Sequence, residues 1–276
     1  MAEIHDAVEE GDRSTVADIL EQDPDAANSA ADGDRPLHLC AVDDRVEIAL
    51  VLIAAGADIE APGDNGRRPL HCAAVHGAVK MAELLVRRGA DLESLDAFGF
   101  SPLFTAARSG APRSPRIVRL LIKAGSEIDL NSAVCLGDRD RVRSLLEQPG
   151  AVLTARFPLD LVPDAVALIR AETLGEVDPF DLDLGKVRKI VDRHLPALEL
   201  LLAKGADANA YGLSPWPALL HAVQISDPRV TRVLLENQAD PSTRTPDGRS
   251  AWRLSQASAT KAEIRQLLKT FERDLP

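Results

Sequence analysis

Gly66-Arg-Arg-Pro-Leu-His-Cys-Ala-Ala-Val-His-Gly77, followed closely by Leu84-Leu-Val-Arg-Arg-Gly-Ala-Asp91, decides the fold. Proline at a first helical turn has no N–H to lose and arrives with its φ preset. Small residues such as Ala73 and Ala74 let neighbouring helices approach closely. A glycine such as Gly89 can take the left-handed angles that end a helix. The stretch therefore predicts a short helix, a tight turn, a longer helix and a glycine exit.

The same unit recurs on both sides. Gly33, Gly66 and Gly99 stand 33 residues apart, and so do Pro36, Pro69 and Pro102. Leu37, Leu70 and Leu103 follow the prolines; His38 and His71 come next, with Phe104 in the third repeat. The exits read Gly56-Ala-Asp-Ile, Gly89-Ala-Asp-Leu and Gly125-Ser-Glu-Ile. Downstream, Leu201-Leu-Ala-Lys-Gly-Ala-Asp-Ala-Asn209 is another exit. Ala218 takes the place of proline, and Val233-Leu-Leu-Glu-Asn-Gln-Ala-Asp240 closes that repeat. A last helix is expected from Thr260 to Phe271. Ile4-His-Asp-Ala-Val-Glu-Glu-Gly-Asp-Arg13 matches Leu130-Asn-Ser-Ala-Val-Cys-Leu-Gly-Asp-Arg139, which begins directly after Asp129. No loop of normal length fits there, so one finger of the array is expected to be missing.

A period of 33 with Pro-Leu-His and a later Gly-Ala-Asp resembles the ankyrin repeat. The resemblance implies an all-α, ankyrin-repeat solenoid of stacked helix-turn-helix units with projecting loops, expected here as a single domain over 1–276. An N-terminal cap would cover 1–30 and three regular repeats 31–129. Two irregular repeats would cover 130–210, with a long insertion at 175–193 whose end, Lys186 to Arg193, extends a helix backwards. A last repeat and a C-terminal cap would cover 211–276. In that family the loop tips and the concave face of the first helices bind other proteins. The histidine of Pro-Leu-His bonds backbone of the adjacent repeat, a role the resemblance assigns to His38 and His71. Arg35, Arg68 and Ser101 replace the threonine that usually precedes the proline.

Bulk composition agrees with such a scaffold. Apolar residues make up 45% but aromatics only 3%, so Leu, Ile, Val and Ala must build the core. The formal charge of −11 disfavours a nucleic-acid surface, which needs clustered Lys and Arg. It favours a partner with a basic surface, drawn in by the long-range field. Three cysteines without short spacing exclude a disulfide framework. The acidic start, Met1 to Gly11, does not read as a signal peptide, and no apolar run of about 18 residues would span a membrane. A cytoplasmic location is expected, and the Ala-, Arg- and Asp-rich composition fits a bacterial source.

These readings place a partner-binding surface. Its fingertip residues are Asp34, Asn65, Arg67, Phe98 and Phe100, then Tyr211 and Trp216 on a later finger. Its helix positions are Val42 and Asp43, Val75 and His76, Arg108 and Ser109, continuing along the groove with Cys135 and Leu136, then Gln224 and Ile225. Exposed aromatics are favoured interface anchors. The expected function is therefore a protein-binding scaffold, acting as a monomer and without a cofactor. Its concrete form would be an inhibitory or immunity-like binder.

The alternative is an enzyme or small-molecule binder. Its pocket would form where the 175–193 insertion meets the groove, near His194 or His221. Little else supports chemistry. His38 with Cys40, and His71 with Cys72, lack the four convergent ligands of a zinc site. Glu176, Asp178, Asp181 and Asp183 do not have calcium-loop spacing. No nucleophile elbow, phosphate loop or dinucleotide fingerprint is present, so no catalytic or metal residue is assigned.

Overall fold

A computed structural model describes residues 2–109, 114–148, 184–211, 216–225, 227–256 and 261–273. They are helical throughout, without a strand among the described residues; two isolated bridges, Ala31 with Asp34 and Arg244 with Ser250, close finger tips. The chain forms two compact units, Met1–Ile128 and Asp129–Pro276.

The first unit holds four helix pairs. They are α1 (Ala2–Glu10) with α2 (Arg13–Gln22), α3 (Pro36–Asp43) with α4 (Val46–Ala54), α5 (Pro69–His76) with α6 (Val79–Arg87), and α7 (Pro102–Arg108) with α8 (Ser114–Ala124). First helices α1, α3, α5 and α7 pack in one row, and second helices α2, α4, α6 and α8 in another. Each layer buries the same positions. Leu37, Leu70 and Leu103 are buried behind the prolines, and Leu52, Leu85 and Leu121 are fully buried on the second helices. Cys40, Ala73 and Ala106, small residues at one register of the first helices, have no exposed surface.

Chain turns explain the residue types at each exit. Gly77 caps α5 with left-handed angles, as the pattern requires; Asp44 takes the same conformation after α3, at φ 58°. Its side chain offsets the strain by accepting the Met81 N–H of the next repeat at 2.8 Å. In the fingers, the Asp of Gly-Ala-Asp accepts the N–H two residues on. Asp58 does so from Glu60, Asp91 from Glu93, Asp207 from Asn209, and Asp240 from Ser242. Such Asx-turns fix the start of each finger.

A second set of bonds joins repeat to repeat. Asn28 accepts the Asp58 N–H at 2.8 Å and donates to the Gly56 carbonyl at 2.9 Å. Glu60 accepts the Asp91 N–H, and Glu93 the Glu127 N–H. In the second unit Asn209 repeats the Asn28 pattern on Asp240 and Gln238.

The second unit contains α9 (Leu130–Leu136), α10 (Arg139–Leu146), α11 (Leu184–Ala203), α12 (Ala218–Gln224), α13 (Pro228–Glu236), α14 (Ala251–Ser255) and α15 (Ala262–Arg273). Asp129 caps α9 by accepting the Ser132 N–H at 2.7 Å, so the helix begins with no finger ahead of it, as the sequence predicts. The expected backward extension is also present, because Lys186 to Arg193 form the first half of the 20-residue α11. Arg229 ties α11 to α13 through Asp192 and Asp227, each at 2.6 Å. The first helix expected over 163–174 and the insertion up to residue 183 lie outside the described residues.

One exit departs from glycine. Gln238, at φ 67°, stands where Gly56, Gly89 and Gly205 stand in their repeats. Its bond to Asn209 uses only the backbone carbonyl. Gln238→Gly is therefore expected to raise stability by about 1 kcal/mol, read as a higher urea midpoint at unchanged slope.

Candidate functional site

The surface that matters is made of finger tips and the exposed ends of first helices. In the first unit each tip is fixed by the repeat before it. Asp34 accepts the Asp64 N–H at 2.9 Å, and the Asn65 carbonyl accepts the Ala97 N–H at 2.8 Å. His38 and His71 are completely buried. The His38 ring bonds the Arg67 carbonyl at 3.0 Å, and the His71 ring bonds the Phe100 carbonyl at 2.9 Å. The other ring nitrogen accepts the backbone N–H of Arg35 or Arg68 at 3.2 Å. Because that nitrogen accepts, the tautomer is set: Nε2 carries the proton and donates to the finger. Burial pushes both imidazoles below their ordinary pKa, opposed at His38 by Asp34 and at His71 by the Phe100 bond. The missing threonine leaves no gap, since the histidine alone spans both backbone partners.

The third tip is held by a buried carboxylate. Asp96 is buried and accepts the N–H groups of Phe98 at 2.9 Å and Phe100 at 3.0 Å. The Arg67 guanidinium lies 3.8 Å from its second oxygen. On this base Phe98 stands 41% exposed, and Leu95 beside it 60% exposed. Leu95 was not singled out from sequence, though a signal exists. Thirty-three residues earlier stands Pro62, and at the register of Phe98 stand Asn65 and Asp32, so apolar side chains replace the polar tips of the earlier fingers.

Other expected tip residues divide. Phe100 is a correction: it is 7% exposed and packs on Phe104 at 4.6 Å, not into solvent. Gly99, at φ 79°, reverses the chain after Phe98 and sends Phe100 under the finger. Phe104 replaces the histidine of earlier repeats and supplies an apolar wall for it. Asp34 is half-buried and holds the next finger, while Asn65 is exposed and Arg67 half-buried. In the second unit Tyr211 is 62% exposed. Trp216 is only half-buried rather than free: it stacks on His221 at 5.5 Å, with the Arg249 guanidinium 5.9 Å from its ring.

Helix ends in the first unit expose Asp43, His76 and Arg108 in one row. Asp43 pairs with Arg45 at 3.0 Å, and Arg108 lies 5.9 Å over the Phe100 ring. Further along, Cys135 and Ile225 are buried, a correction to their groove assignment. Both are apolar enough to serve the core of the second unit instead.

Reactive chemistry finds little support among the described residues. Burial pushes the Cys40 and Cys72 thiols up to about 12, so neither supplies a thiolate near neutral pH. No group of three or more His, Cys, Asp or Glu able to hold a metal occurs among the described residues. His194 and His221 are buried within α11 and α12. No described helix is long and apolar enough to cross a membrane.

Comparison with known proteins agrees with this geometry. Residues 4–96 match the family model for ankyrin repeats (3 copies). A curated relative, ankyrin repeat and SOCS box protein 6 of Pongo abelii, is 30% identical over 139 residues. That match covers 48% of this chain and 30% of the relative, so the chain spans less than a third of that protein's length.

Proposed function

We propose that this chain, whose residues 4–96 match ankyrin repeats, a family that generally mediates protein–protein interaction, binds a partner protein through the tips and first-helix ends of Met1–Ile128. One observation carries the reading: Leu95 and Phe98 are held exposed on a tip whose backbone is fixed by Asp96 and Asn65. Apolar side chains on a preorganised base bind with little ordering cost. On the two earlier fingers and at the end of α3 stand Asp32, Asp64 and Asp43, all exposed. Their charge suits a partner that sets an apolar residue on the third tip and basic residues along the earlier ones. The acidic field then speeds encounter and fades with added salt.

The test is a Leu95→Ser/Phe98→Ser variant. Loss of each anchor is expected to cost about 2 kcal/mol of binding, so partner recovery from the source cell should fall strongly while circular dichroism stays unchanged. A partner set identical to that of the unaltered chain would remove this surface from consideration.

A further inference from the structure

The second-helix row carries a feature that the finger surface does not use. Its outward stripe differs sharply from repeat to repeat. On α6 it carries Lys80, Glu83 and Arg87, and on α8 Arg116, Arg119 and Lys123. On α2 it carries the exposed Asp18 and Glu21. On α4 the corresponding positions are Glu47, Leu50 and Ala54, with Val51 beside them and Glu47 the one charged residue of that helix. Leu50 occupies the register of Glu83 and Arg119. Leu50 and Val51 are half-buried and Ala54 is exposed, so the stripe is not consumed by the core. Helix α4 packs between α2 and α6. From α2 to α6 the face therefore runs from acidic, through a largely apolar centre with Glu47 at its start, to net basic, Glu83 pairing with Arg87 at 3.9 Å.

A surface with that order is complementary to itself. A two-fold axis lying in the plane of contact and running parallel to α4 lays α4 of one chain on α4 of a second copy. The same rotation brings the acidic α2 of each chain over the basic α6 of the other. An isologous contact of this kind repeats every favourable pair twice. Apolar burial at the centre with charges at the rim is also the ordinary anatomy of an interface.

We propose that the α2–α4–α6 face is a homodimer interface. Its occupant is a second copy of this chain, which replaces the monomer expected from sequence. The contact uses the opposite helix row from the partner surface above, so either can fail without the other. The centre is only three helices wide, so the dimer is weak and salt-sensitive.

Sedimentation velocity of the full chain, in a concentration series at low salt, tests this. The unaltered chain is expected to pass from monomer to dimer as concentration rises. Leu50→Glu should weaken association at least tenfold while leaving circular dichroism unchanged. Asp18→Lys/Glu21→Lys, and separately Lys80→Glu/Arg87→Glu, should each be monomeric alone and associate when mixed, because mixing restores opposite charges across the axis. A monomer over the whole series would overturn the proposal. So would a dimer that tolerates Leu50→Glu, or charge-reversed variants that ignore each other.

Discussion

His71→Ala is expected to lower stability by about 2–4 kcal/mol. The ring is completely buried, so its removal leaves a cavity. It also strands the Arg68 N–H, which bonds the ring at 3.2 Å. The Phe100 carbonyl fares better, since it keeps the Asp96 N–H at 3.1 Å. What goes with the Nε2 bond is a link between α5 and the third finger, whose tip is then held by Asp96 and Asn65 alone. His76, exposed on the same helix, is the control; His76→Ala should stay within about 0.5 kcal/mol. Urea denaturation of the full chain measures both. Equal, small effects would mean that the buried histidines do not hold the fingers.

Acid should act through the same two residues. His38 and His71 have folded pKa values pushed down by burial, so the folded chain keeps them neutral. Unfolded, they titrate at the ordinary value of 6.5. Below that pH the unfolded chain takes up protons that the folded chain refuses, so stability falls as pH falls; above it, the stabilising neutral forms are fully retained. Each histidine contributes up to about 1.4 kcal/mol per pH unit in that window. Protonation would also turn the accepting Nδ1 into a donor facing the Arg35 or Arg68 N–H. Urea midpoints of the full chain should therefore be flat above neutrality and drop steeply from pH 6 to 5. A midpoint indifferent to pH there would show that both rings already carry charge in the fold.

Much of this architecture was legible because its causes are local. Proline at the first turn, glycine at the exit and aspartate in the Asx-turn each act within a few residues, and each repeats in phase. Side-chain direction at the third tip was not legible. Phe98 and Phe100 differ by two positions, which by spacing alone points them the same way. The positive φ of Gly99 separates them, and the apolar Phe104, four residues on from Phe100, decides which one goes under. The contacts of Trp216 were less legible, because Arg249, which lies over its ring, belongs to the next finger, one period on. Leu95 was readable only by comparing tips at one register and asking which was apolar, a question that single motifs do not raise.

Finally, consider the bonds from Asn28, Glu60, Glu93 and Asn209, each of which reaches forward to the backbone of the following finger. They give the array a direction, with every acceptor satisfied by what comes after it. A gain or loss of one whole period leaves each such acceptor facing an equivalent amide. Spacing within a repeat is less strict, since Glu60 reaches 31 residues forward and Glu93 reaches 34, each to the same kind of amide. Whole rungs can thus be added or removed without unpairing the ladder, and a single rung can widen without breaking it.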